Sequence, residues 1–419
     1  MMKSFWNGLA KYTLLGVLIG SLIGVYQLVA GIAVKFSNKI ICLPDYDCVI
    51  VAIIGSLFLA YFARVLTTID KNIAGGGVPM IELAIKGKNK SIRPIRSIIS
   101  MFINSLFSFM TGVGIGSEGP SVYMGGCVGL AVNKLFKKDD KDLVGISCGA
   151  GFGCAFLSPF AGFIYIFEEA LHKFDYKLIL KALYTVVIAF LIVHLITPNK
   201  FLSFNINIGL PFKYYYVFVG IIIVNIIVGT LFTICVVKIK EFFSKNKNNI
   251  IVRNRIFIMF AIAAVVSVFL TEYRGAGSAI INNIMNYDSI ILIILILAFR
   301  FFYTITSANS NSSGGFIVTM IKFGALTGIL ICNLSTIWFN LPVEHYPLIV
   351  LVSTFSMMPI ITRSPLTGMT VAISYAGLSN FSIVVVPVII VLAISYFASK
   401  KLTKVNDIYE ELISRTQIA

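Results

Sequence analysis

Charge is what this sequence has least of. Of its 419 residues, 12% are Asp, Glu, Lys or Arg, against about 25% in an average soluble domain. Acidic residues are the scarcer sign, 18 against 34 basic ones. A chain that is 58% hydrophobic lacks the polar surface to cover itself in water. A soluble domain is therefore excluded, and lipid is the expected solvent. Histidine is nearly missing, with 3, and the 7 cysteines are scattered without metal-site spacing. Cys42 and Cys48 flank a short acidic loop, where unpaired thiols are expected and a disulfide is the alternative. There is no phosphate-binding loop, no dinucleotide fingerprint and no His-Glu-x-x-His pattern. Nothing nominates an enzyme, a metal or a cofactor.

What is present is a set of uncharged apolar runs, at 12–34, 49–63, 182–199, 214–237, 256–270, 289–299 and 381–399. Several reach the roughly 18–20 residues that a helix needs to cross about 30 Å of hydrocarbon. Others are short, or broken by Gly, Pro, Ser and Thr. Broken helices are tolerated at membrane depth only where protein or a wet cavity surrounds them, so the breaks point to a transport path. The first run is too long for a secretory signal and has no small-residue cleavage site after it, so it is expected to stay as a span.

The net charge of +16 is clustered. Bases gather at Lys86–Arg96, at Lys134–Lys141, at Lys238–Arg255 and at Lys400–Lys404, whereas the loop 44–48 is acidic. In a membrane protein such an excess marks cytoplasmic loops rather than nucleic-acid binding. That rule puts the basic clusters and both termini inside, and the acidic loop outside, in a bacterial-type cytoplasmic membrane.

The chain also echoes itself. Ser-Pro-Phe-Ala-Gly from Ser158 is answered by Ser-Pro-Leu-Thr-Gly from Ser364. Gly75-Gly76-Gly77 is answered by Gly275-Ala276-Gly277, and Gly119-Pro120 by Gly314-Gly315. Each pair is separated by about 200 residues, in the same order, which is the mark of a structural repeat. The expected division is 1–199 and 200–403, with 404–419 as a C-terminal helix. The fold class is an all-α polytopic membrane protein, built from two inverted-topology repeats with broken, tilted helices.

One stretch could handle an anion. Gly112-Val113-Gly114-Ile115-Gly116-Ser117-Glu118-Gly119-Pro120 lies between two apolar runs. Proline is favoured just inside a helix start, so a helix is expected to begin near Glu118. Its free N–H groups and positive dipole end suit a small anion, and glycines let the amides approach closely. The same pattern opens Gly76-Gly77-Val78-Pro79 and Gly314-Gly315-Phe316-Ile317. A carboxylate at such a start, as at Glu118, can take the anion's place and carry a proton when it leaves, or it can serve as a helix cap. Glu168 and Glu169 close an apolar run before His172, and on composition alone they read as interfacial charges. Glu82 reads as solvated or paired with the basic loop, and His194 as a packed histidine. Lys322 in its apolar run would draw anions, pair with a carboxylate or snorkel to an interface.

These residues resemble the CLC family of chloride channels and chloride/proton antiporters along nearly the whole chain. The family signatures Gly-Ser-Gly-Ile-Pro, Gly-Arg/Lys-Glu-Gly-Pro and Gly-x-Phe-x-Pro are matched by Gly75–Pro79, Gly116–Pro120 and, loosely, Gly315–Thr319. Asp407-Ile408-Tyr409 is similar to the helix start that carries the pore tyrosine. The resemblance implies an external gate and proton acceptor at Glu118 and an internal proton acceptor at Glu169. It implies anion contacts from Gly76, Gly77, Val78, Ser117, Gly119, the backbone amides of Phe316 and Ile317, and the hydroxyl of Tyr409. It also implies a homodimer in the bilayer with one pathway per subunit, taking chloride or a similar small anion and protons as partners. This sequence departs from the family at Gly76, where the signature has serine, at Ser117, where it has a base, and at Thr319, where it has proline. The short stretch after Tyr409 leaves no room for the cytoplasmic nucleotide-sensing domains of some relatives.

The leading expectation is an anion/proton antiporter. The alternatives are a passive chloride channel of the same fold and a fluoride/proton exporter. The rival from another class is a membrane enzyme using Glu169 and His172 as an acid/base pair.

Overall fold

The computed structural model describes residues 2–41, 46–137, 139–198, 204–403 and 405–416. These residues are helical almost throughout. The first half holds α1 (Met2–Ile41), α2 (Tyr46–Ile69), α3 (Val78–Ile85), α4 (Pro94–Thr111), α5 (Glu118–Leu135), α6 (Lys141–Phe156), α7 (Pro159–Tyr165) and α8 (Tyr176–Ile196). The second holds α9 (Tyr216–Lys245), α10 (Ile250–Phe269), α11 (Ser278–Asn282), α12 (Ile290–Asn309), α13 (Ile317–Phe339), α14 (Tyr346–Ile361), α15 (Pro365–Ala376) and α16 (Phe381–Thr403). The short α17 (Ile408–Thr416) follows. Among the described residues, 9 segments are long and apolar enough to cross a bilayer. The expected boundaries at 199, 200 and 404 fall outside the described residues, as does Cys42; Cys48 is a free thiol.

The second half repeats the order of the first, long helices and short ones alike. Counterparts also meet: α2 packs on α10, α7 on α15, and α5 on α13. The packing chemistry repeats too. A Cβ on Gly125 of α5 would come 2.5 Å from the Ser147 carbonyl of α6, and one on Gly324 of α13 would come 2.3 Å from the Ser353 carbonyl of α14. With no hydrophobic force between helices in lipid, such small residues let backbones touch and gain dispersion contacts. Buried polar groups add a clamp in the second half. Asn225 on α9 donates to Ser356 Oγ at 2.7 Å and to Ser353 Oγ at 3.1 Å.

The burial pattern is that of a bilayer protein. Helices α13 and α14 are mostly enclosed, while α2, α8 and α16 leave large apolar side chains such as Phe58, Leu195 and Phe397 exposed. Those outer faces suit hydrocarbon. The enclosed helices α5, α6, α13 and α14 surround the broken segments, which is where unpaired backbone ends can be tolerated.

Candidate anion and proton pathway

The three glycine-rich starts, separate in sequence, converge on one point. Helix α4 ends at Gly112, whose φ of 85° stops the helix, and the chain runs on to the start of α5. On the way, Gly116 N–H donates to the Gly315 carbonyl at 2.6 Å, and Gly315 N–H donates back to Gly116 at 2.8 Å. This two-way bridge ties the first half to the second. The third start joins through Gly75 N–H, which donates to the Ser312 carbonyl at 3.0 Å. Ser313 Oγ donates to the Ile73 carbonyl at 2.7 Å, and Asn104 Nδ2 donates to Ser313 Oγ at 2.7 Å. A Cβ on Gly119 would lie 2.9 Å from Gly315 Cα and 3.5 Å from Gly76 Cα. Glycine is required at the crossing because only bare backbone fits.

Helix α5 begins at Glu118, as its Gly-Pro context predicts, with Ser117 in the capping position. The Ser117 side chain makes no capping bond, so the first amides of α5 are left to other partners. The Glu118 side chain is 4% exposed. Backbone amides of Ser117, of Glu118 itself and of Val318 lie beside its carboxylate, and its Oε2 has no hydrogen-bond partner among the described residues. The carboxylate thus sits at the meeting point of two helix starts, α5 and α13. It also borders a cavity of about 740 Å³ lined by Gln27, Lys35, Ser117, Arg274 and Val318 among others. Phe316 and Ile317, at the start of α13, are buried, as is Val78 at the start of α3. Gly77, in the capping position of α3, has φ 74° and packs against the Tyr123 ring.

Glu169 lies in the turn Ile166–Ala170 after α7 and is 4% exposed. It borders Ser364, the residue that opens α15 in the second half. Asp407, Glu168 and Glu82 are its acidic neighbours. Tyr409, on α17, lies within electrostatic reach of both Glu118 and Glu169. Its ring stands 5.4 Å from that of Phe316, so the C-terminal helix reaches the start of α13. Asp407 caps α17 by accepting from the Tyr409 amide at 2.5 Å.

Four sequence-based readings change here. Glu168 is no interfacial charge: its carboxylate accepts from the amides of Leu366 at 2.9 Å and Thr367 at 2.6 Å, and from Thr367 Oγ1 at 2.7 Å. It caps the other half's α15, a long-range partner that local sequence cannot reveal. Glu82 is buried rather than solvated, because α3 turns it toward Asp407 and Glu410 near α17. Lys322 does not snorkel. It is fully buried and its Nζ donates to the Ala276 carbonyl. His194 is exposed on the outer face and stacks on Phe190 at 5.5 Å. Of the rival acid/base pair, His172 is exposed and Glu169 is buried, and Lys86 and Glu410 are the charged groups that act on His172.

The sequence profile described as "Voltage gated chloride channel" matches residues 50–400. The chain belongs to the voltage-gated chloride channel (CLC) family. Among its relatives, the H(+)/Cl(-) exchange transporter ClcA of Vibrio cholerae serotype O1 is 26% identical over 87% of this chain and 79% of that protein. The ClcA of Vibrio vulnificus is 25% identical over 96% of this chain and 89% of that protein. In fold, the chain is similar to a slow cyanobacterial Cl-/H+ antiporter, with TM-score 0.87 at 19% identity over 98% of this chain and 97% of that one. It is also similar to a CLC-type fluoride/proton antiporter, with TM-score 0.78 at 19% identity over 98% of this chain and 99% of that one.

The departures from the CLC signatures have physical reasons. Gly76 has φ 82°, and a Cβ there would come 2.9 Å from the Gly314 carbonyl oxygen. The loop has taken a left-handed path that leaves no room for serine. Thr319 replaces the signature proline and returns its hydroxyl to the Phe316 carbonyl at 2.7 Å. The first turn of α13 is thereby closed by a side chain instead of by a fixed ring.

Proposed function

We propose that this CLC chain exchanges chloride, or a similar small anion, for protons across a membrane. The observation that carries the reading is the pair of buried carboxylates, Glu118 and Glu169, with Tyr409 in electrostatic reach of both. A buried carboxylate is costly in a membrane interior and is retained where it moves charge. Glu118 occupies the amide-lined meeting point of α5 and α13. When ionised it fills the seat that an anion would take. When protonated it loses its attraction for the amides and yields the seat. Anion entry and proton uptake are then alternatives at one place, which is the elementary condition for exchange.

In this reading Glu118 is the gate and the proton acceptor on its own side, and Glu169 is the acceptor on the other. The anion rests between them on the amides of Phe316 and Ile317 and the Tyr409 hydroxyl, with Gly77, Val78, Ser117 and Gly119 lining the path. Gly76 contributes bare backbone only. The basic loops support an orientation with the Glu169 side in the cytoplasm of a bacterial-type inner membrane, and in this reading the functional unit is a homodimer with one path per subunit.

The test is chloride-driven proton uptake in sealed liposomes. The protein should drive protons uphill in a chloride gradient, and Glu118→Gln and Glu169→Gln should each lower proton movement at least tenfold. Chloride flow without proton movement would make the chain a passive channel. If only a fluoride gradient drives protons, the chain is a fluoride exporter.

A further inference from the structure

Lys322 has no part in that scheme, yet it is a fully buried lysine near the proposed gate. It lies one helical turn beyond Val318 on α13, so the two share a face. Val318 lines the cavity that Glu118 borders, and its amide lies beside the Glu118 carboxylate. The Lys322 ammonium is fully buried and is held by the Ala276 carbonyl. An ammonium has three donors, and no carboxylate forms an ion pair with this one among the described residues. The charged groups that act on it are Arg300 and Glu118.

Arg300, on α12, is fully buried too. Its one terminal nitrogen donates to the carbonyls of Tyr273 at 2.8 Å and Gly275 at 2.9 Å, while Nε and the second terminal nitrogen have no partner among the described residues. Two buried cations therefore converge on the segment Tyr273–Gly277, of which Arg274 to Gly277 line the Glu118 cavity. Glu118 is the one carboxylate that acts in favour of a charge on Lys322, and Arg300 is the cation that acts against it. Buried charges are ordinarily paired, so a buried lysine without an ion pair among the described residues points to an opposite charge at this place.

We propose that Lys322 is the fixed positive charge of the Glu118 seat. It holds the carboxylate while that is seated and attracts the anion that replaces it. It thereby supplies the positive charge that Ser117 and Gly76, both neutral, do not. Lys322 is thus a positioning and affinity residue for the exchange, and the inference rests on the exchange reading. The other titratable groups facing Glu118 are Tyr26 from α1, Tyr375 from α15 and Tyr409 from α17, with Lys35, Glu272 and Arg274 in the cavity wall. Phenols ordinarily stay protonated below about pH 9.

The test is equilibrium dialysis of radioactive chloride against purified protein in detergent, all in the Glu118→Gln background. Adding Lys322→Met or Lys322→Gln should weaken chloride binding about tenfold or more, as loss of a near charge at intermediate dielectric predicts. Lys322→Arg should stay within about threefold, because the charge remains. With Glu118 intact, Lys322→Gln should also move the pH of half-maximal exchange in liposomes upward by about one unit, since the seated carboxylate loses its cation. A purely structural lysine, propping up Ala276, would lower folded yield without moving either readout. Unchanged chloride affinity and an unchanged pH midpoint in both uncharged variants would overturn the proposal. If the Met variant does not fold, the comparison of Gln with Arg carries the same decision. Binding is read without transport, so a failure of proton exchange in the unmodified protein would sink the exchange reading and leave the Lys322 result standing.

Discussion

At the scale of single residues, the site is defined as much by missing side chains as by charged ones. Gly76, Gly119 and Gly315 are bare because the backbones of three helix starts touch there. Restoring the signature serine by Gly76→Ser is therefore expected to damage the protein rather than improve its anion affinity. The new Cβ would meet a backbone oxygen at 2.9 Å, in a conformation with φ 82° that side chains disfavour. The cost should be about 1–3 kcal/mol, read as a lower thermal midpoint in detergent. Tighter chloride binding with no loss of stability would show that the loop rearranges freely. The burial of Glu169 was not evident from local composition, because a glutamate at the end of an apolar run looks the same whether it meets water or another helix. The CLC resemblance singled Glu169 out, whereas Glu118 stood out by its glycine-rich helix start; both are buried in the structure.

At the scale of elements, the helix starts were the most legible feature. Proline at the second position of α3 and the first of α15, and Gly-Pro just inside α5, mark those starts in the sequence, and the structure begins each helix there. What fills the exposed helix end was not legible, because the partner comes from the opposite half of the chain. Glu168, through both carboxylate oxygens, satisfies the first amides of α15. Glu168→Ala should cost about 0.5–2 kcal/mol, the ordinary worth of an N-terminal cap. Hydrogen exchange at the amides of Leu366 and Thr367 should speed up selectively. Unchanged protection at those two amides would mean that water replaces the cap without loss. The effect belongs to α15 and its contact with α7, so chloride binding at the Glu118 seat should be preserved.

For the whole molecule, the orientation rests on where the basic loops lie. Cysteines introduced at Lys88 and Lys247, both exposed, should react with an impermeant maleimide only after the cells are opened. A cysteine at Glu272, exposed near the Glu118 cavity, should react in intact cells. The reverse pattern would place Glu118 on the cytoplasmic side and Glu169 on the other. The two halves are joined at the Gly116–Gly315 bridge, where the first half meets the second backbone to backbone. Such a joint allows little sliding between halves. Change during transport is therefore expected in side chains such as Glu118 rather than in large movements of α5 against α13.

The lipid solvent, the helical class, the doubled order of elements and the three glycine-rich starts are written in the residues themselves. Those follow from apolar run length, charge scarcity and turn residues, all local properties. It takes packing to bring the three starts to one point, to make Glu168 the cap of α15, to turn Glu82 inward, and to keep Lys322 buried within reach of Glu118 instead of at an interface. Each of these depends on contacts between residues far apart in the chain. A side chain's surroundings in a membrane protein are set by the helices packed against it, and no local pattern around Lys322 names Ala276 or Glu118 as its neighbours.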